Sequence, residues 1–183
     1  LRKEIIDIPK YGVIGVHPSL LPRLRGPSPI QSAILNDEKE TNTTLFLIDE
    51  KVDHGPVLSI VKCQMSNVDT YETLLKKLAE LSANLILSAL PEYLSGKLQP
   101  KIQNEKQATY TKKFVSEDGF VDLQKDNPKD IYLKVRALNP EPGVYTILEL
   151  KTGKMRLKLL EADFKDNKLE LLKVKPEGKR IMD

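Results

Sequence analysis

His17 stands at the end of a short apolar run, Tyr11-Gly12-Val13-Ile14-Gly15-Val16, and opens the stretch His17-Pro18-Ser19-Leu20-Leu21-Pro22-Arg23-Leu24-Arg25-Gly26-Pro27-Ser28-Pro29-Ile30-Gln31. The apolar run, bounded by turn residues, reads as a strand of a buried sheet, and the Pro-braced stretch after it as a loop able to build a site. His17 then projects from the strand's carboxyl end, the edge of open α/β sheets where ligands bind. Asp53 lies in a second loop, Asp49 to Gly55, between the β-branched runs Thr43 to Ile48 and Pro56 to Met65. A histidine paired with an aspartate can donate a hydrogen bond to a developing oxyanion and give a proton a route out. In isolation, His17 reads more readily as a satisfied structural histidine.

His17, Asp53 and His54 are also metal-ligand types. The chain has 2 histidines and 1 cysteine, with no His-x-x-x-His spacing or carboxylate cluster beside them, so no metal is expected. His54 is expected to shape the aspartate loop or to be exposed. The lone Cys63 excludes an internal disulfide and fits a reducing cytoplasm. No apolar run approaches the roughly 20 residues that span a bilayer, and the first residues lack a signal peptide's apolar stretch. The formal net charge is only +3, but from Lys151 onward ten basic residues face six acidic ones, a surplus larger than that of the whole chain. That surplus reads equally as a solvated strand surface or as nucleic-acid contact.

The elements that must position these residues follow from pattern. Ile30, Ala33 and Ile34 recur at helical spacing after Ser28-Pro29, an N-cap and first-turn pair. Asp69-Thr70-Tyr71-Glu72 has the spacing of a capping box and opens a longer helix. Its apolar face carries Leu74, Leu75, Leu78, Leu81, Leu85, Ile86 and Ala89, and Pro91 is expected to kink or stop it. The leucine stripe reads as one side of a domain core in preference to a dimer seam. Lys97 to Asp118 is polar and aperiodic, and is read as a linker that wraps between domains. Asn127-Pro128 opens a helix that Asn139-Pro140 closes. Beyond it Val144 to Leu150, Met155 to Ala162 and Leu169 to Val174 alternate around the turns Thr152-Gly153 and Asp166-Asn167 as a small antiparallel unit.

Three blocks carry a resemblance. His17 with Ser19-Leu20-Leu21-Pro22 and Arg25-Gly26 is the first. Leu47-Ile48-Asp49-Glu50-Lys51-Val52-Asp53-His54-Gly55-Pro56-Val57-Leu58 is the second, and Arg136-Ala137-Leu138-Asn139-Pro140-Glu141-Pro142-Gly143-Val144-Tyr145-Thr146 the third. Together they resemble the formyltransferases that use 10-formyltetrahydrofolate, and among these most the methionyl-tRNA formyltransferases. Leu171 to Arg180 resembles the last strand and turn of the same group.

The resemblance implies an α/β fold: a partial, Rossmann-like formyltransferase domain over residues 1–98, a linker over 99–118 and an abbreviated, OB-like β-barrel over 119–183. Because the chain opens on Leu1 shortly before a strand that the family places late in its sheet, an amino-terminally truncated member is expected. His17 and Asp53 are implied as catalytic residues, and Ser19, Leu20, Leu21 and Pro22 as the wall of the folate pocket. The implied reaction moves a formyl group from 10-formyltetrahydrofolate to the amine of methionyl-initiator tRNA, in the cytoplasm, by an enzyme monomeric at full length and without membrane or metal. A formyltransferase acting on an amino-sugar nucleotide, or a non-catalytic folate- or RNA-binding relative, would share the first two blocks. Two positions depart from the family pattern. Gly15 replaces an asparagine that supplies a second hydrogen-bond donor, and Asn42 replaces a glycine ahead of the strand threonines, where little consequence is expected.

Overall fold

The computed structural model describes residues 2–151 and 153–182. Leu1, Thr152 and Asp183 lie outside the described residues, so the turn expected at Thr152-Gly153 is seen only from Gly153 onward. After a short helix α1 (Lys3–Ile6), strands β1 (Ile14–His17), β2 (Glu40–Leu47) and β3 (Val57–Gln64) form an antiparallel sheet in the order β1-β2-β3. β2 is the central strand, and Thr41 to Phe46 are buried on both of its faces. β1 is an edge strand: Val16 is 40% exposed and His17 alone of its four residues is buried. Among the described residues β1 is hydrogen-bonded to β2 on one side only. Asn42 also lies within β2, buried and in extended backbone.

Helix α2 (Pro29–Leu35) begins at Pro29 as expected. Helix α3 (Tyr71–Leu94) is capped one residue later than the pattern suggested. Thr70 Oγ1 accepts the Thr73 N–H and Thr73 Oγ1 accepts the Thr70 N–H, while Asp69 accepts the Ser66 N–H at 2.7 Å. Pro91 does not stop α3, which runs on to Leu94. The carbonyl that loses its partner there belongs to Leu87, a residue 74% exposed, and water can satisfy it. α3 lays Leu85 and Ala89 against Leu45 and Leu58 of the sheet.

Helix α4 (Pro128–Leu138) is capped by Asn127, whose side chain accepts the Lys129 N–H at 2.8 Å. Strands β4 (Val144–Leu150), β5 (Gly153–Lys165) and β6 (Lys168–Pro176) follow as an antiparallel meander. Asp166 and Asn167 both take positive φ, 50° and 59°, the geometry of a two-residue hairpin turn. Phe120 bridges to Tyr145 on one edge of the meander and Met182 to Val174 on the other. One cluster of buried side chains runs from Ile30 and Ile34 through Leu74 and Leu78 to Ile131, Leu138, Val144 and Leu159. α4 therefore packs directly on α2 and α3, and the meander packs on α4. Cys63 sits in the same cluster, where burial pushes its thiol up, the behaviour of a core side chain and not of a nucleophile. Among the described residues, no helix is long and apolar enough to cross a membrane.

Candidate active site

Strand pairing fixes His17. It stands opposite Thr44 of β2, and Thr44 Oγ1 reaches across to the Ser19 carbonyl at 2.6 Å, which turns the chain into the loop that follows. The imidazole is buried, with Nε2 2.8 Å from the Leu24 carbonyl. A carbonyl only accepts, so Nε2 carries a proton and Nδ1 is the nitrogen left for chemistry. Nδ1 lies 3.6 Å from Asp53 Oδ2. That oxygen accepts the Gly26 N–H at 2.7 Å, and Oδ1 has no hydrogen bond among the described residues. The structure thus brings together the two residues singled out from sequence, with a gap too long for a direct hydrogen bond between them.

The aspartate loop is built from unusual backbone. Asp53 itself takes φ +47°. Gly55 packs so tightly that a Cβ there would lie 1.8 Å from the Leu47 carbonyl oxygen, so only glycine fits. His54 is anchored inside this loop, as one of its two expected roles has it: Nδ1 is 2.5 Å from Asp49 Oδ2, and Nε2 is 3.5 Å from Glu105 Oε1.

The Ser19-Leu20-Leu21-Pro22 segment divides its duties. Ser19 and Leu21 are buried, the Ser19 hydroxyl donating to the Arg23 carbonyl at 2.6 Å and the Leu21 N–H to Thr44 Oγ1 at 3.3 Å. The Pro22 carbonyl accepts the Thr109 N–H at 3.2 Å. Leu20 is the exposed apolar side chain of the four.

At Gly15, a Cβ would lie 2.7 and 2.8 Å from the ring of Phe46, its cross-strand neighbour. The space that an asparagine side chain would need is filled by a phenylalanine. His17 and Gly15 project to the same face of β1, so Phe46 borders the site where the family's second donor would stand.

Sequence reasoning missed the segment from Lys101 to Thr111. It pairs with Val57 through Lys101 and runs beside Arg25 through Tyr110. Gln103 Nε2 donates to the carbonyls of Asp53 and Gly55 at 2.9 and 2.7 Å. Glu105, hydrogen-bonded to Arg25, holds that guanidinium above its usual value, and Arg25 holds Glu105 below the usual carboxylate range. The one available signal was composition: a segment from Lys101 to Thr111 free of Gly and Ser, with Thr109-Tyr110-Thr111 of strand-forming type.

On the meander, Lys158 and Lys175 are direct cross-strand partners and line a cavity of about 370 Å³ with Arg156, Pro176, Glu177 and Gly178. The Arg156 guanidinium lies 3.5 Å from the centroid of the Tyr145 ring.

Comparison with known proteins matches residues 1–90 to the family "Formyl transferase" and residues 113–170 to "Formyl transferase, C-terminal domain". A methionyl-tRNA formyltransferase of Kosmotoga olearia is 40% identical over 167 residues, 91% of this chain and 52% of the relative. That of Bacillus licheniformis is 36% identical over 203 residues, 100% of this chain and 64% of the relative. The chain spans about half the length of the first of these and under two thirds of the second. Among solved structures, methionyl-tRNA formyltransferase from Clostridium thermocellum superposes with TM-score 0.65 at 22% identity, over 93% of this chain and 68% of that one. HypX from Aquifex aeolicus in complex with tetrahydrofolic acid superposes with TM-score 0.69 at 25% identity, over 81% of this chain and 25% of that one. With both domain models matched in order and relatives at these identities, the chain belongs to the formyl transferase family.

Proposed function

We propose that this chain carries the catalytic pair of an enzyme that transfers a formyl group from 10-formyltetrahydrofolate to the amine of methionyl-initiator tRNA. The observation that carries the reading is the approach of His17 Nδ1 to Asp53 Oδ2 at 3.6 Å, at the mouth of the loop that begins with Ser19-Leu20-Leu21-Pro22. Relatives named for this activity support the acceptor, and HypX solved with tetrahydrofolic acid supports a folate.

In the reaction the amine lone pair attacks the formyl carbon and the formyl oxygen becomes an oxyanion. The bond from carbon to folate N10 then breaks, the amine nitrogen gives up a proton and N10 gains one. With Nε2–H held on the Leu24 carbonyl, a protonated His17 presents Nδ1–H to the oxyanion. Asp53 Oδ2, 3.6 Å from Nδ1, lies beside that donor. Asp53 Oδ1, free of hydrogen bonds among the described residues, takes the proton shed by the amine, the proton N10 needs. Leu20, which is exposed, and Pro22 offer apolar contact to the pterin. With glycine at position 15, His17 is the side-chain donor on which the oxyanion depends.

The meander supplies the tRNA contact. Like charges directly opposite one another on a sheet are unfavourable, and Lys158 facing Lys175 beside Arg156 is an arrangement that a phosphate relieves. The reaction belongs in the cytoplasm, where initiator tRNA is charged, and the full-length enzyme acts as a monomer. Binding of methionyl-tRNA by the full-length polypeptide across a range of salt tests the acceptor. A steep loss of affinity with ionic strength, with a slope reduced by about 1 for each of Lys158→Glu and Lys175→Glu, is expected. A shallow slope indifferent to both substitutions, with formylation of a small amine such as an amino-sugar nucleotide, would replace the tRNA reading with the alternative.

A further inference from the structure

Arg25 is the largest fully buried side chain, at 0% exposure, and no step above uses it. Its Nε and one terminal nitrogen donate to Gln103 Oε1 at 3.2 and 2.7 Å. The two terminal nitrogens donate to the two oxygens of Glu105 at 3.1 and 2.6 Å, and one also meets the Tyr110 hydroxyl at 3.1 Å. This fork leaves the Gln103 amide one orientation. Its oxygen must face the guanidinium, so its NH2 must face the Asp53 and Gly55 carbonyls. A flipped amide would set donors against donors and acceptors against acceptors.

The same arginine holds the other side of the site. Its N–H donates to the Thr109 carbonyl at 2.9 Å and its carbonyl accepts the Thr111 N–H at 2.7 Å. The residue that follows is Gly26, whose N–H binds Asp53 Oδ2. The backbone and the carboxylate of Asp53 are therefore fixed from one anchor, at a residue whose left-handed conformation a non-glycine side chain does not favour by itself.

We infer that Arg25 and Gln103 are positioning residues of the transfer reaction: Arg25 orients the Gln103 amide, and Gln103 holds the aspartate loop so that the Asp53 carboxylate faces His17 Nδ1. The inference rests on the catalytic reading of His17 and Asp53.

The test is single-turnover formyl transfer from 10-formyltetrahydrofolate to methionyl-initiator tRNA by the full-length polypeptide. Gln103→Glu keeps the acceptor for Arg25 but turns a carboxylate oxygen toward two carbonyls. Its single-turnover rate at saturating folate is expected to fall by roughly 10- to 100-fold, the size of effect a small misplacement brings, with the folate concentration for half-maximal rate within about twofold. Arg25→Lys, which keeps the charge and loses the fork, is expected to fall between wild type and Gln103→Glu. Gln103→Met is read in the same way if the glutamate variant does not fold. In an Asp53→Ala background the Gln103 change is expected to add less than about twofold, because it acts through Asp53. Normal turnover in Gln103→Glu, or losses that multiply in the double variant, would overturn the positioning role while leaving the catalytic pair standing. Normal turnover in Asp53→Ala alone would remove the catalytic reading itself.

Discussion

Asp53 Oδ2 is hydrogen-bonded to the Gly26 N–H at 2.7 Å and stands 3.6 Å from His17 Nδ1, so the backbone, and not the imidazole, holds the carboxylate in place. The pair is preset at a distance that lets Nδ1 turn to a third group without first breaking a strong bond to Asp53. A site that must donate to a charge appearing only in the transition state gains from such an arrangement.

Asp53→Asn separates charge from position. The amide oxygen can still accept from Gly26, so folding should be kept, while the negative charge and the free acceptor are lost. Formyl transfer by the full-length polypeptide is expected to fall by about 100-fold or more, with the melting temperature within a few degrees of wild type. Asp53→Gly should lose as much activity while easing the +47° backbone. Thermal unfolding beside single-turnover rates checks both, and normal turnover in either would take the aspartate out of the mechanism.

Restoring the family residue at position 15 should not be benign. Gly15→Asn drives a Cβ to within 2.8 Å of the Phe46 ring. A cost of about 1–3 kcal/mol is expected from overpacking, read as a lower denaturant midpoint. Combined with Phe46→Leu the two changes should cost less than their sum. Additive costs in a double-mutant cycle would mean that the ring is not what excludes the side chain.

Asp69 ties the start of α3 to the core. Its carboxylate accepts from Lys77 Nζ at 2.7 and 2.9 Å and from the Ser66 N–H, and Arg136 Nε donates to its backbone carbonyl at 2.8 Å. Burial alone would raise its pKa, but Lys77, Ser66 and Thr73 outweigh burial and hold it below the usual carboxylate range. The unfolded chain therefore takes up this proton first as pH falls. The stabilisation is complete above the ordinary value near ~3.9 and is lost as pH drops through the lower folded value. Asp69→Asn is expected to cost about 1.5–3 kcal/mol at neutral pH and to flatten the acid limb of stability in a denaturation series. An unchanged acid limb would show that other carboxylates set it.

Much of this fold is legible in the residues because it rests on period. Leu74, Leu78 and Leu85 on α3, Asn127-Pro128 at the start of α4, and Asp166-Asn167 between β5 and β6 each announce an element that the structure contains. What was not legible depends on partners that sequence does not order. Gln103 and Glu105 act through side-chain hydrogen bonds to Asp53, Gly55 and Arg25 from an aperiodic segment. An apolar run such as Ile14 to Val16 does not say how many neighbours its strand has. Phe46 over Gly15 follows from cross-strand register, and the cap at Thr70 won over Asp69 because Asp69 found Lys77 and Ser66.

The most direct test is the single-turnover rate of formyl transfer, from 10-formyltetrahydrofolate to methionyl-initiator tRNA, by the full-length polypeptide carrying His17→Ala. Removal of the one oxyanion donor in the pair is expected to slow the chemical step by roughly 100- to 1,000-fold with tRNA binding intact. A rate equal to wild type in a folded variant would contradict the central role of His17.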